Sequence, residues 1–382
     1  MTKPRQTVAI VGAGIGGLTA ALAFARNGAE VFVFEQANEL KEVGAGLQVT
    51  PNGLRALQAL GLTNEIAKAS IPADAVVPID AMTGNPVTRF DLKPQSPRYR
   101  FFHRASLQAL LGRAAQAAGA KIKLGVRVTA VSPEGLLQTS KGPQKADIVV
   151  GADGIHSVIR QFCDPDAVAA KFTGQVAWRG VVPIDDTPAE AQIWMAPKRH
   201  VVTYPLRDGL LNVVAVQERE TWAAEGWNHA DDPQNLQSVF ADCAPALSDI
   251  LARLDKPKLW GLFRHPVAEN WHKGAIALLG DAAHPTLPFL AQGANLAIED
   301  AYVLARCCDE KATIRDAFVK YQGLRRDRVV RAIEAANTNA KNYHLSGFKR
   351  QVAFMGLKTL GAMAPNAFLG RLGWLYDHDV TA

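Results

Sequence analysis

The sequence predicts an α/β fold: a Rossmann-like domain with an inserted antiparallel-sheet domain and C-terminal helices. A buried strand, a glycine-rich turn, a helix and a second buried strand open the chain. Short apolar runs of the same kind return at 147–150 and 275–279. The region between about 165 and 271 consists of short strand candidates separated by turns, and it contains six of the seven tryptophans. A parallel sheet interrupted by a different sheet accounts for these three observations.

Apolar periodicity assigns most elements in order. The opening unit is a strand at 8–11, a helix at 15–27 and a strand at 31–34. Further strands are predicted at 122–124, 126–131, 175–182, 191–195, 200–206 and 210–217, with antiparallel strands within 72–92. Further helices are predicted at 105–118, 294–308 and 313–344, and the apolar tail 347–374 is expected to pack on the body rather than on a membrane surface.

These elements divide into three regions. The predicted dinucleotide-binding domain comprises 1–72, 98–164 and 272–310, the substrate-binding sheet domain 73–97 and 165–271, and the C-terminal helical segment 311–382.

Composition narrows the function classes. The net charge is +6 with a pI near 9.1, but no polybasic tract occurs, so we expect small anions and not nucleic acid as partners. The four cysteines form no CxxC pair, which indicates buried thiols in a reducing compartment and no metal site. The N-terminal apolar run is too short for a signal-peptide core. We therefore expect a cytoplasmic protein without stable membrane association.

The stretch Gly12-Ala13-Gly14-Ile15-Gly16-Gly17 matches the dinucleotide-binding pattern G-x-G-x-x-G. Gly12 permits the tight turn, Gly14 lets the backbone approach a pyrophosphate, and Gly17 lets the helix pack against the strand. Glu35 ends the next strand, where its carboxylate can accept hydrogen bonds from ribose hydroxyls. This motif alone does not separate NAD from FAD.

Two later motifs favour FAD. GADGIHS at 151–157 follows a buried strand, and Gly-Asp at 280–281 precedes the run HPTLPFLAQGANLAIEDA. With the first motif, their order and spacing resemble the group A flavoprotein monooxygenases, above all the salicylate-hydroxylase-like branch. The resemblance extends over nearly the whole chain and implies a hydroxybenzoate-hydroxylase-like fold with FAD as cofactor.

The resemblance implies an extended FAD site. The glycine turn would hold the pyrophosphate, Arg104 would lie near the pyrophosphate and ribityl chain, and Asp281 would accept a ribityl hydroxyl. Asp153 would serve both FAD and the nicotinamide cofactor. The implied FAD-binding residues are Gly12, Gly14, Ile15, Gly16, Gly17, Glu35, Gln36, Gln48, Arg104, Val128, Asp153, Asp281, Pro285, Gly293, Ala294 and Asn295.

The implied reaction uses O2 and NADH or NADPH to hydroxylate a small aromatic, phenolic or carboxylated substrate through a flavin hydroperoxide. His200 and Tyr204 lie four residues apart in a predicted strand and so share a face, as in hydroxybenzoate and hydroxynicotinate relatives. We predict His200 as base or proton relay and Tyr204 as the group that positions the ring. Gln292, Pro288 and Arg179 are candidate substrate contacts.

Alternatives share these motifs. Among enzymes, the alternative functions are a flavin epoxidase and a urate-like or quinone-precursor hydroxylase. A non-catalytic lipid chaperone of the GDP-dissociation-inhibitor type has the same fold but loses the FAD motifs, which are intact here.

Overall fold

The computed structural model describes residues 6–40, 45–219, 229–363 and 370–382. Its strands are β1 Thr7–Val11, β2 Glu30–Phe34, β3 Gly46–Val49, β4 Ser70–Pro72, β5 Ala75–Asp80, β6 Phe90–Asp91, β7 Arg100–His103, β8 Lys121–Lys123, β9 Val128–Val131, β10 Leu136–Thr139, β11 Gln144–Lys145, β12 Ile148–Gly151, β13 Lys171–Pro183, β14 Glu190–Ala196, β15 Arg199–Leu206, β16 Leu210–Glu218, β17 His229–Ala230, β18 Lys258–Arg264, β19 His272–Lys273 and β20 Ile276–Leu278. Its main helices are α1 Ile15–Arg26, α2 Pro51–Ala59, α3 Thr63–Ala69, α4 Arg104–Ala117, α5 Val158–Cys163, α6 Pro233–Val239, α7 Pro245–Ala252, α8 Gly293–Glu310, α9 Ile314–Tyr343 and α10 Gly347–Met363.

The first body is built on a six-stranded sheet in the order β19-β20-β12-β1-β2-β8. β1 runs parallel to β2 and β12, and β12 runs parallel to β20. Helix α1 packs against both α4 and α8, and β1, β12 and β20 are almost completely buried. Because parallel strands present their carboxyl ends at one edge, the glycine turn, Asp153 and Asp281 meet there. The α/β prediction is confirmed.

The second body is an eight-stranded sheet in the order β17-β18-β13-β16-β15-β14-β5-β6. Its pairs are antiparallel with one exception: β5 pairs with β14 in parallel register. The predicted inserted antiparallel sheet is therefore confirmed, and the parallel β5–β14 pair is a feature that the sequence analysis did not predict. β5 and β14 are distant in sequence, so no hairpin forces them to run in opposite directions. The strands of this sheet lie inside the ranges predicted for the substrate domain; the domain boundaries themselves stay predictions.

The C-terminal helices differ in how deeply they pack. α9 contacts α8 and buries aromatic side chains such as Phe318 and Tyr321. α10 reaches the second sheet through Arg350, which pairs with Asp80, while Met355 on its outer face is 69% exposed. Over Gly347–Met363, α10 thus contacts the rest of the protein along one face. Within the described ranges, the helices lack the combination of length and apolar character needed to span a bilayer.

A buried ionic network joins α8 to α9. Arg325 lies 2.6 Å from Glu299 and 2.8 Å from Asp300, and all three side chains are at most 1% exposed. Arg328 adds a second pair to Glu299 at 2.7 Å. Although burial alone would raise it, His284 and Arg325 lower the pKa of Asp300 to about 2. The stretch Arg325-Arg326-Asp327-Arg328 is the densest group of basic residues in the sequence. Two of its arginines thus neutralise internal acids and are not available to attract anions.

The four cysteines, Cys163, Cys243, Cys307 and Cys308, are free and buried, as predicted. Burial raises the pKa of Cys163 to about 12 and also raises those of Cys243 and Cys307. These thiols are therefore protonated at neutral pH, in keeping with structural rather than reactive cysteines.

Candidate active site

A groove runs from the carboxyl edge of the first sheet to the face of the second. Its near end is formed by the glycine turn and the start of α1, its middle by Arg104, Asp281 and the start of α8, and its far end by the second sheet. The predicted site residues that line it are Gly14, Ile15, Gly16, Gly17, Gln48, Arg104, Arg179, His200, Tyr204, Asp281, Pro288, Gln292, Gly293 and Ala294. The fold therefore brings residues that are distant in the sequence, from Gly14 to Ala294, into one continuous site.

The glycine turn shows why each glycine is needed. Gly12 has φ +102°, and a Cβ there would lie 2.4 Å from the carbonyl oxygen of Ala152. A Cβ on Gly17 would lie 2.1 Å from the carbonyl oxygen of Gly12. At Gly14, by contrast, a Cβ would have no neighbour within 4 Å, because this residue faces the groove. The turn is packed on its inner side and open where a pyrophosphate would approach.

Two acids near this turn are held by backbone amides. The carboxylate of Glu35 accepts hydrogen bonds from Ala13 N and Ala37 N, both at 2.8 Å. A carboxylate has about four acceptor positions, so Glu35 retains capacity for ribose hydroxyls. The carboxylate of Asp153 accepts from the Ser157 hydroxyl and from Val158 N at 2.9 Å. Asp153 therefore anchors the start of α5, and its predicted contact with cofactors stays a prediction.

The middle of the groove carries charge suited to an anionic, sugar-like chain. Asp281 lies in the 3-10 turn Gly280–Ala282 with its side chain open to the groove. Its recessed position raises the pKa of its carboxyl, while His284, Arg104 and His265 lower it. The start of α8 has no side-chain cap and no acid in its first turn. Its free N–H groups and positive dipole end therefore face the groove unopposed.

The loop before α8 is held in an uncommon backbone conformation. Leu290 and Ala291 have φ of +63° and +55°, a left-handed region that non-glycine residues rarely adopt. The side-chain amides of Gln292 and Asn295 donate to their carbonyl oxygens, at 3.1 and 2.6 Å respectively. Asn295 also accepts from Thr50 N at 3.0 Å and so ties α8 to the β3–α2 connection. These two amides hold the loop against the groove.

The same contacts bear on the roles predicted for Gln292 and Asn295. The Gln292 amide also accepts from Asn52 at 3.1 Å and donates to Thr50 at 3.2 Å, so it is already well bonded within the protein. Asn295 lies in the first turn of α8 but does not line the groove. Direct substrate or cofactor contacts of these two side chains stay predictions. His284, in the same loop, bonds Asp300 at 2.5 Å.

The far end of the groove brings His200 and Tyr204 together on one face of β15. His200 is 2% exposed and lies against the ring of Phe289. Burial, and then the neighbouring His344, lower the pKa of His200 well below its usual 6.5. Burial raises the pKa of Tyr204 to about 12, opposed by nearby Arg179. At neutral pH this end therefore presents a neutral imidazole and a neutral phenol.

Tyr204 is fixed by close packing on both sides. Its ring stacks on Phe101 with centroids 5.1 Å apart. A Cβ on Gly46 would lie only 2.5 Å from its Cε2 atom and 2.7 Å from Asn212. Arg179 and Gln48 are hydrogen-bond neighbours of its hydroxyl. These contacts thus fix the position of the Tyr204 ring, and a residue without a side chain at Gly46 leaves the room that the ring needs.

Replacing Gly46 by alanine is expected to displace the Tyr204 ring and to weaken aromatic ligand binding about tenfold, since overpacking of this kind costs on the order of 1–3 kcal/mol. Ligand affinity is measured by titration of the FAD-loaded protein. Tyr204→Phe, which keeps the ring and removes the hydroxyl, is the matched variant: it should retain more affinity than Gly46→Ala. Equal or tighter binding in Gly46→Ala would show that the ring position is not limiting.

Some predicted residues lie behind the groove wall or beside it, namely Gly12, Glu35, Gln36, Val128, Asp153, Pro285 and Asn295. Gln36 is exposed next to Glu35, and Val128 is buried at the start of β9.

Two residues at the far end of the groove, His344 and Glu218, were not predicted from the sequence. His344 bonds to His200, and Glu218 bonds to His344. No local pattern marks either residue, because they approach His200 from the position just after α9 and from the end of β16.

The groove residues fit FAD. Gly14 leaves room for a pyrophosphate, and neither α1 nor α8 carries an acid in its first turn, where phosphate or reduced-flavin charge would lie. Asp281 and Arg104 stand between these helix starts and supply an acceptor and a cation. This donor set matches an extended anionic dinucleotide whose ring system ends beside the second sheet.

Comparison with known proteins agrees with this reading. A family model described as "FAD binding domain" matches residues 5–316. The 3-hydroxybenzoate 6-hydroxylase of Polaromonas naphthalenivorans (strain CJ2) is 34% identical over 400 residues, covering 98% of this chain and 96% of that protein. The 3-amino-4-hydroxybenzoate 2-monooxygenase of Streptomyces cremeus is 32% identical over 354 residues, covering 88% of each.

Solved structures show the same fold. HpxO of Klebsiella pneumoniae, in complex with FAD and uric acid, superposes with a TM-score of 0.85 at 25% identity and covers 97% of both chains. A salicylate hydroxylase substrate complex gives a TM-score of 0.82 at 24% identity, covering 100% of this chain and 97% of that one.

Proposed function

Because the chain belongs to the group A family of FAD-dependent aromatic monooxygenases, we propose that it hydroxylates a small phenolic acid of the hydroxybenzoate class. FAD is its cofactor, NADH or NADPH its reductant and O2 its oxidant. When bound, FAD accepts two electrons from the nicotinamide and supplies activated oxygen to the substrate ring. Several relatives are named for hydroxybenzoates or aminohydroxybenzoates, which supports this substrate class.

The observation that carries the proposal is the pairing of His200 and Tyr204 at the end of the FAD groove. His200 presents a neutral imidazole and Tyr204 a fixed aromatic ring with a hydroxyl donor. Arg179 lines the same end and adds positive charge. A ring carrying a phenol and a carboxylate matches this arrangement, with the phenol toward His200 and the carboxylate toward Arg179 and Tyr204.

His200 acts as general base in this proposal. Oxygen transfer to an aromatic ring is an electrophilic attack, so a phenolate reacts faster than a phenol. A neutral imidazole at hydrogen-bond distance takes the phenolic proton as the ring becomes electron-rich. The surrounding apolar side chains, among them Leu287, Val214 and Trp260, exclude water from this step.

The test is a substrate panel. NADH and NADPH oxidation by the purified FAD-loaded enzyme is followed with hydroxybenzoates, hydroxypyridines and purines, and hydrogen peroxide is measured alongside. We expect a hydroxybenzoate to give the largest stimulation with little peroxide. Coupled oxidation with a purine alone would reject the phenolic acid class and favour a urate-like substrate. Stimulation by hydroxybenzoates that yields only peroxide would mean that the ring is bound but is not the substrate.

Two further expectations concern the cellular location and the oligomeric state of the protein. We place the protein in the cytoplasm because its four cysteines are unpaired and buried, as in reducing compartments. A monomer or homodimer is expected, and sedimentation of the FAD-loaded protein would decide between them.

A further inference from the structure

His200 is the first member of a hydrogen-bonded series that reaches the protein surface. Its Nδ1 atom lies 2.7 Å from Nε2 of His344, and Nδ1 of His344 lies 2.9 Å from Oε1 of Glu218. The His344 side chain is 2% exposed, whereas that of Glu218 is 41% exposed. The series therefore begins at the groove, crosses the interior through one imidazole and ends in solvent.

The terminal acid sets the proton positions along the whole series. A carboxylate only accepts hydrogen bonds, so Nδ1 of His344 must carry a proton and donate it to Glu218. In a neutral imidazole Nε2 of His344 is then the acceptor, and Nδ1 of His200 donates to it. Nε2 of His200 is left with a free lone pair, which is the form a base needs. Gln175 lies 3.5 Å from Nδ1 of His344, farther than Glu218, and does not change this order.

We propose that His344 and Glu218 are positioning residues that form a proton relay between His200 and solvent. This inference rests on the proposed role of His200 as base. The substrate O–H bond breaks and its proton bonds to Nε2 of His200. The Nδ1 proton of His200 passes to Nε2 of His344, and the Nδ1 proton of His344 passes to Glu218 and on to water. One proton leaves the substrate and one reaches solvent. After the reaction the product phenolate takes the proton from Nε2 of His200, and a proton from water returns through Glu218 and His344, which restores the starting tautomers.

The surroundings favour neutral imidazoles in this relay. Burial lowers the pKa of His344, and Glu218 raises it in part. The other titratable or charged groups nearby are the Tyr343 phenol, whose ring is 5.1 Å from that of His200, Lys198, and Arg219 next to Glu218. Lys198 bonds through its backbone to His344 and Glu218, at 3.2 and 2.9 Å. Burial raises the pKa of Tyr343 to about 12, so it does not exchange protons near neutral pH.

A first test determines the tautomers of His200 and His344 in the absence of substrate. The FAD-loaded enzyme is labelled with ¹⁵N-histidine, and the resonances of His200 and His344 are assigned with His200→Asn and His344→Phe. We expect both rings to be protonated on Nδ1 and bare on Nε2. Glu218→Ala should make His344 a mixture of tautomers, and Glu218→Asp should restore the single form. An Nε2-protonated His200 in the wild-type enzyme would overturn the proposal.

A second test reads the proton transfer. 3-Hydroxybenzoate is bound to the oxidised enzyme without NADH, and its ionisation is followed in the ultraviolet after a pH jump. We expect His344→Phe and Glu218→Ala to slow ionisation at least about tenfold, a part of the 10²–10⁴ typical of acid–base catalysis. Asp242→Ala is the matched control, since it removes a surface acid paired with Arg199 but outside the relay. It should leave the rate unchanged.

The outcomes distinguish a failure of the proposed relay from a failure of the proposed role of His200 as base. If His200→Asn abolishes ionisation while His344→Phe and Glu218→Ala ionise at the wild-type rate, His200 is the base and the relay is wrong. If none of the three variants changes the rate, or if the ligand stays un-ionised in the wild-type enzyme, the proposed role of His200 fails as well. A loss of thermal stability with an unchanged rate would make His344 a packing residue only.

Discussion

Replacing His200 by asparagine is expected to lower turnover about a thousandfold at pH 7 and only a few fold near pH 10. Without the imidazole, only substrate that has already ionised in solution can react. A simple phenol has a pKa of about 10, so roughly one molecule in a thousand is a phenolate at pH 7 and about half at pH 10. The rate of the variant should therefore rise about tenfold per pH unit, while the wild-type rate stays nearly level.

The wild-type behaviour follows from the lowered pKa of His200. A base whose pKa lies well below 6.5 is neutral throughout the physiological range and loses activity only in more acidic solution. The measurement is the initial rate of coupled NADH oxidation from pH 5.5 to 10. His200→Gln, which can still donate a hydrogen bond but does not titrate, is the matched variant and should show the same slope. A variant profile parallel to that of the wild type would contradict a role for His200 as base.

Replacing Gly14 by valine is expected to weaken FAD binding at least about 100-fold, or about 2.7 kcal/mol, with little change in the stability of the FAD-free protein. The backbone of Gly14 is extended, with φ −71° and ψ −179°, which valine adopts easily. A Cβ there meets no atom within 4 Å beyond its chain neighbours, and Gly14 lines the groove, so we expect the added methyl groups to enter the space for the pyrophosphate. Affinity is measured by FAD titration and stability by thermal unfolding.

Gly17→Ala is the control for this prediction. Its Cβ would lie 2.1 Å from a backbone oxygen of Gly12, so the turn itself must shift. We expect this variant to lose stability even without FAD, whereas Gly14→Val should unfold within about 1 kcal/mol of the wild type. If both variants lost stability equally, Gly14 would have a structural role and the open side of the turn would not be the pyrophosphate site.

The first body could be predicted from sequence because its signals are local. The glycine turn, the buried strand before it and the acid after β2 lie within 30 residues of each other, and each has a distinct pattern. The parallel pairing of β5 with β14 could not be predicted, since pairing direction depends on how distant segments approach. The burial of Arg325 could not be predicted either. In the sequence Arg325 belongs to a group of basic residues, and only the folded structure places Glu299 and Asp300 around it.

The far end of the site shows the same division. His200 and Tyr204 were predicted because period two along a strand puts residues four apart on one face, and both line the groove. Their role in the reaction stays a proposal. His344 and Glu218 could not be inferred, because contact between the residue that follows α9 and the end of β16 results from tertiary packing alone. Sequence patterns thus indicate the groups that face the ligand better than the groups behind them.

The four shielded cysteines have a consequence for an enzyme that handles reduced flavin in air. A reduced flavin that reacts with O2 without hydroxylating a substrate would release hydrogen peroxide in the groove. Peroxide oxidises thiolates, and the raised pKa values of Cys163, Cys243 and Cys307 keep those sulfurs in the unreactive protonated form. These cysteines should therefore resist oxidation by the peroxide. Poor substrates should consume NADH or NADPH without inactivating the enzyme.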